Sequence, residues 1–166
     1  MTTSTHKTQI EKQDKTIRIT RDFKAPVDKV WKAFTEKEIL DKWWGPSPWR
    51  AETKTMDFRE GGHWIYAMVG PENEKHWARM NYISIDPQKS YDLEDGFSDE
   101  NGVMNKELPV SKGKSTFTST ADGTRVEMSI VYPTEADVQK IVEMGFEEGI
   151  SICLEQLDQL LNQNKV

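Results

Sequence analysis

The sequence predicts an α+β fold in which a long C-terminal helix lies across a sheet of about seven strands. Three observations carry this. Between Arg50 and Tyr132 the chain carries only strand and turn signals. Two short helical patterns fit between the first strand and that run. From Val138 onward, apolar residues recur at helical spacing: Val138, Ile141, Val142, Ile152, Cys153, Leu157, Leu160 and Leu161.

Met1 to Asp14 is polar and reads as a flexible tail, leaving residues 15–163 as a single domain. Thr16 to Phe23 places Ile17, Ile19 and Arg21 on one face and Arg18 and Thr20 on the other, the alternation of a strand. Ala25-Pro26 opens a short helix whose buried face is Val27, Val30, Trp31 and Phe34. Thr35-Glu36-Lys37-Glu38 has the spacing of a capping box for a second short helix carrying Ile39, Leu40, Trp43 and Trp44. Gly45-Pro46 stops it.

Strands follow at Arg50–Phe58, His63–Val69, Lys75–Asp86, Ser90–Phe97, Gly113–Thr120 and Thr124–Tyr132. Turn residues separate them: Gly61-Gly62, Gly70-Pro71, Pro87-Gln88-Lys89 and Asp122-Gly123. Ser98 to Lys112 is a polar loop containing Val103, Met104 and Leu108; covering a cavity mouth or joining a dimer interface would both suit it. Thr134 caps the last helix, which would be about 43 Å long at 1.5 Å per residue if it ran unbroken to Asn162.

Gly145 and Gly149 interrupt that helix on its apolar stripe. Each costs about 1 kcal/mol of helix stability relative to alanine. A buried stripe that gives up side chains leaves either a close backbone contact or a hollow. Packing against a bulky neighbour is the plain alternative to a binding cavity.

Bulk properties exclude several classes. Mean hydropathy is −0.74 and no apolar run reaches spanning length, so no membrane segment is expected. Met1 to Gln13 lacks the apolar core of a signal peptide. Net charge is −6, and no basic stripe is present to meet a phosphate backbone, so nucleic acid is excluded as a partner. The acids gather late in the chain: Glu135, Asp137, Glu143, Glu147, Glu148, Glu155 and Asp158 line the polar face of the last helix. Cys153, the lone cysteine, permits no internal disulfide, which fits a cytoplasmic location. It reads as a small core residue.

The residues also carry a resemblance. Phe34 to Pro46 reads FTEKEILDKWWGP, Phe58 to Gly62 reads FREGG, Gly70-Pro71 follows the next strand, and the chain ends in MGFEEGISICLEQLDQLL. Over Thr16 to Leu161 this resembles the family named after the C-terminal domain of the activator of Hsp90 ATPase, within the START/Bet v 1-like (SRPBCC) superfamily. The resemblance implies a helix-grip fold: a curved antiparallel sheet around a long C-terminal helix, two short helices closing one end, and often an apolar cavity between sheet and helix. Members of the wider superfamily bind lipids, sterols, polyketides and hormones, and a few are cyclases. The eukaryotic co-chaperones carry a separate N-terminal domain for which this chain has no room, so their activity is not carried over with the family name.

His63 and His76 lack metal-ligand spacing, and no phosphate loop or nucleophile elbow is present. Asp57, Glu60, Asp92, Glu94 and Asp95 form no pair with a second functional group. No catalytic residue, metal or cofactor is therefore assigned. Aromatic and methionine residues are the better signal. Trp64, Tyr66 and Met68 share a strand face, as do Met80 and Tyr82, Tyr91 and Leu93, and Val126, Met128 and Ile130. Only the last set is inward without ambiguity, because Glu127 and Ser129 alternate with it; Ile65, Ala67 and Val69 are as apolar as their neighbours.

The expected ligand-binding residues are Trp64, Tyr66, Met80, Tyr82, Met128, Gly145 and Gly149. The leading expectation is non-enzymatic binding of a small apolar or amphipathic molecule. The alternatives are a protein-interaction module using the acidic helix or the tryptophan-rich region, and an enzyme of cyclase or hydrolase type. Monomer and homodimer are equally compatible with the sequence.

Overall fold

Residues 8–166 are described by a computed structural model. The described residues form one eight-stranded antiparallel sheet and four helices. Strand β1 (Gln9–Gln13) and strand β2 (Thr16–Phe23) form a hairpin, and helices α1 (Val27–Thr35) and α2 (Lys37–Trp43) follow. Strands β3 (Arg50–Asp57), β4 (His63–Val69), β5 (Lys75–Asp86), β6 (Ser90–Phe97), β7 (Ser111–Ser119) and β8 (Thr124–Val131) then run as a meander. Helices α3 (Glu135–Glu143) and α4 (Phe146–Asn162) end the chain. The sheet order is β1-β2-β8-β7-β6-β5-β4-β3, so the last strand pairs with β2. This is the helix-grip architecture.

Three expectations need correction. The expected tail is partly a strand. Gln9–Gln13 pairs with Thr16–Thr20, with Ile10 opposite Ile19, and Asp14 makes the turn at φ 54°. The strand is polar because it is the sheet edge, so no alternation announced it. The remainder of the expected tail, residues 1–7, lies outside the described residues.

The capping box does not form. Thr35 is the last residue of α1 and its hydroxyl donates back to Trp31 O at 2.8 Å, while Glu36 caps α2 without a side-chain bond. By contrast, Thr134 does accept from the Asp137 amide at 3.1 Å, as its position before α3 predicts.

The C-terminal helix is not continuous. It breaks at Met144-Gly145, where Gly145 takes φ 89° in the left-handed region. Ile150, Cys153, Leu154 and Leu157 are buried on α4, whereas Ile152 is exposed. The 17 residues of α4 span about 26 Å.

The acidic face is also not wholly solvated. Arg21 sits on the inward face of β2 with only 3% of its surface exposed. It pairs with Glu155 at 2.9 Å and with Asp158 at 3.5 Å, and Asp158 itself is 5% exposed. Lys12 pairs with Glu147. These bonds fasten α4 to β2 and β1.

Removing Asp158 takes away the buried partner of Arg21 and leaves the half-exposed Glu155 as its ion pair. Asp158→Ala is expected to lower the unfolding free energy by about 2 kcal/mol, read from urea denaturation. A loss below about 0.5 kcal/mol would place the pair among surface ion pairs of little weight.

Candidate functional site: a cavity between the sheet and the last helix

The site begins with strand periodicity. On β4, Trp64, Tyr66 and Met68 face the interior; on β5, Ala78, Met80 and Tyr82 do; on β8, Met128 and Ile130 do. Together with α4 they enclose a cavity of about 320 Å³. The ambiguity of β4 is resolved by burial on both faces. Ile65 and Ala67 point the other way and are still buried, because the loop after β6 folds over that face. An added Cβ on Gly102 would lie 2.5 Å from Ile65 Cδ1, and Arg79 donates to Gly102 O at 3.1 Å. The polar loop is thus mainly a cover for the outer face of the sheet; Pro109 alone of its residues 98–110 reaches the cavity wall.

Aromatic contacts stiffen one wall. Trp64 and Tyr66 stack with centroids 4.1 Å apart, and Trp44 Nε1 donates to Tyr66 Oη at 3.0 Å. Trp64 Nε1 donates to Thr53 Oγ1, whose hydroxyl donates to Asp41 at 2.6 Å. Phe58, Tyr82 and Tyr91 pack edge-on to one another beyond it. The two adjacent tryptophans therefore divide their work. Trp43 is fully buried and donates to Ala33 O at 2.9 Å, while Trp44 lines the cavity. They form no exposed pair.

The opposite wall is α4, held to the loop after α2. Gln156 Nε2 donates to Trp43 O and Gly45 O, both at 2.9 Å, and its Oε1 accepts from the Ser47 amide at 2.9 Å. The Gly45 amide donates to Cys153 Sγ at 3.3 Å. Gly45 is required twice over: φ is 117°, and a Cβ would lie 2.8 Å from the Arg50 backbone. Burial pushes the Cys153 thiol up to about 11, so it serves as an inert wall group and hydrogen-bond acceptor rather than a nucleophile.

Two lining residues are charged: Lys114, whose side chain is exposed, and Asp95. Strand β6 presents Tyr91, Leu93, Asp95 and Phe97 to the cavity. Asp95 retains some accessible surface, and it is a cavity-lining residue. Burial raises its carboxyl from 3.8 to about 7, opposed only by the Gly96 amide. The hydroxyls of Tyr66 and Tyr82 are pushed well above their ordinary value, first by burial and further by neighbouring charge, so both remain neutral donors.

A family model described as activator of Hsp90 ATPase homolog 1-like protein matches residues 24–162. The chain belongs to this family. Solved structures agree over nearly the whole length. A crystal structure of a Mycobacterium smegmatis protein is 34% identical, with a TM-score of 0.85 over 92% of this chain and 95% of that one. A solution structure from Arthrobacter aurescens is 30% identical, with a TM-score of 0.87 over 93% and 91%. One from Staphylococcus epidermidis is 29% identical, with a TM-score of 0.83 over 94% of each chain. No curated protein matches the chain. The fold of activator of Hsp90 ATPase homolog 1-like proteins is compatible with ligand binding and with a chaperone-linked role.

Within this family fold, six of the seven expected residues lie on the cavity wall: Trp64, Tyr66, Met80, Tyr82, Met128 and Gly149. Gly145 does not. It ends the break between α3 and α4, and an added Cβ would meet only the tip of Glu148, at 3.9 Å. Its glycine answers a backbone angle rather than a hollow. The histidines stay outside the site: His63 shares a hydrogen bond with Thr55 at 3.1 Å, and His76 lies against Trp49. Among the described residues no cluster of His, Cys, Asp or Glu could hold a metal, and no helix is long and apolar enough to cross a membrane. Trp44, Cys153 and Asp95 were not among the expected site residues. Asp95 had a legible signal, since it is in phase with Tyr91 and Leu93.

The raised carboxyl fixes a pH dependence. Between 3.8 and about 7 the folded chain holds a proton on Asp95 that the unfolded chain has lost. Stability attributable to Asp95 therefore falls as pH rises through that window and levels off above it. At about 1.4 kcal/mol per unit the full penalty reaches about 4 kcal/mol. In Asp95→Asn the penalty is absent, so the stability difference between variant and parent should grow by about 3 kcal/mol from pH 4 to pH 8. Urea denaturation at both pH values measures it, and a constant difference would mean that Asp95 ionises normally in the folded chain.

Proposed function

We propose that the protein binds a small apolar or amphipathic molecule in the cavity between the sheet and α4, without transforming it. The observation that supports this most is a hollow of about 320 Å³ walled by Trp64, Tyr66, Met80 and Tyr82. Interiors normally pack to crystal density, so an open, mostly apolar space with a few polar tips has the make-up of a ligand site. Met68, Met80 and Met128 give the wall side chains that adapt to ligand shape.

Gly149 supplies the test. An added Cβ there would sit 3.7 Å from Pro46 Cγ, an ordinary contact, so a methyl group fits; Gly149 and Pro46 both line the cavity, so a leucine side chain there is expected to occupy its space. Gly149→Ala is expected to keep ligand uptake and gain roughly 0.5–1 kcal/mol from helix propensity. Gly149→Leu is expected to abolish uptake while the fold persists. Native mass spectrometry of freshly purified protein, compared with the denatured sample, reads both: a discrete extra mass lost on denaturation in the parent and the alanine variant, absent in the leucine variant. Equal uptake by a folded Gly149→Leu protein would overturn the proposal.

A cyclase- or hydrolase-type activity draws on the same wall, because Tyr66, Tyr82 and Asp95 all line the cavity. Conversion of the bound mass on incubation would favour that reading; an unchanged mass supports binding alone.

A further inference from the structure

The binding proposal leaves the polar end of the ligand unspecified, and β6 supplies it. Three of the four residues that β6 turns inward are Tyr91, Leu93 and Phe97; the fourth is Asp95. Its register neighbours are Met80 on β5 and Ser111 on β7. Neither carries a positive charge. The contrast with the other inward-facing ion is informative. Arg21 is matched by Glu155 and Asp158, whereas among the described residues no ion pair reaches Asp95. Its carboxyl keeps one backbone donor, the Gly96 amide.

We propose that Asp95 anchors the ligand's polar head, so that the cavity selects amphipathic molecules ending in a cationic amine and rejects those ending in a carboxylate. This rests on the binding reading above. A carboxylate in an apolar hollow is left costly unless a counter-charge arrives. An ammonium head brings that charge and several N–H donors, and its apolar body meets the aromatic and methionine walls.

The other titratable groups near this position suit the assignment. Tyr66 on β4, Tyr82 on β5 and Tyr132 beyond β8 all feel the Asp95 charge. All three are neutral, and their oxygens can accept from an ammonium. Cys153 on α4 is a neutral thiol. Lys114 borders the cavity, but its side chain is exposed and it pairs in register with Asp92 on the outward phase of β6. A carboxylate head would therefore meet Asp95 with no cation to offset the repulsion.

The test uses the full chain with decylamine and decanoate, matched in apolar length and opposite in head charge. Isothermal titration calorimetry is run at pH 8, where the Asp95 carboxyl is ionised. Decylamine is expected to bind the parent at least about tenfold more tightly than decanoate, in line with a charge-assisted hydrogen bond. Asp95→Asn should erase that gap, and Gly149→Leu should weaken both ligands, which separates cavity binding from attraction to the negative surface. Equal affinities in the parent, or a gap that survives in Asp95→Asn, would overturn the anchor and leave cavity binding standing. Binding of neither probe to the folded parent would overturn the binding proposal and this inference together.

Discussion

The clamp between α4 and the loop that follows α2 is the constraint on which the interior depends. Trp43 to Ser47 runs through a partly buried corner, where its backbone groups need partners. Gln156 satisfies two carbonyls and one amide with a single side chain, and Cys153 takes the Gly45 amide. The consequence is positional. Pro46 is held opposite Gly149, Trp43 is driven into the core against Ala33, and Trp44 is turned over Tyr66. The helix is fastened at this corner and, through Arg21, at β2. With the Lys12–Glu147 pair near its start, α4 is tied to the sheet edge on one side of the cavity-lining Phe146, Gly149 and Ile150 and to the corner on the other.

That arrangement explains how a hollow persists in a fold whose walls are otherwise well packed. Trp31, Phe34, Phe58, Tyr91 and Phe117 form a continuous edge-to-face cluster beside the cavity. The cluster fills its space with rings, and two of them, Phe34 and Tyr91, form part of the cavity wall. Polar atoms on the wall are few and mostly spoken for, with Tyr66 accepting from Trp44 and Tyr91 bonded to Ser115. Asp95 is the exception, and it gives an otherwise apolar chamber a direction.

Much of this was legible from residue pattern. The strands His63–Val69, Lys75–Asp86 and Ser90–Phe97 have the bounds that alternation and turn residues indicate. Both short helices and the Thr134 cap follow from local chemistry too. Gly149 was legible as a missing side chain on a buried stripe. Gly145 was misread by the same logic, because a glycine that fills a left-handed angle and one that leaves room look alike in a one-dimensional pattern. Ile152, counted on the same stripe, is exposed and Leu154 is buried, because the buried face of α4 is centred on Cys153, Leu154 and Leu157.

The sequence by itself determined the order of elements, the inward set on β8 and the family, because these rest on local periodicity and short motifs. Tertiary structure decided the rest. It made a polar segment, Gln9–Gln13, into a strand, since an edge needs a neighbour's hydrogen bonds and not an apolar face. It turned Asp158 from a surface acid into the buried partner of an arginine 137 positions earlier in the chain. It gave Asp95 its raised carboxyl, which depends on what surrounds the group in space. Desolvation and long-range pairing are properties of the folded neighbourhood, and no spacing along the chain encodes them.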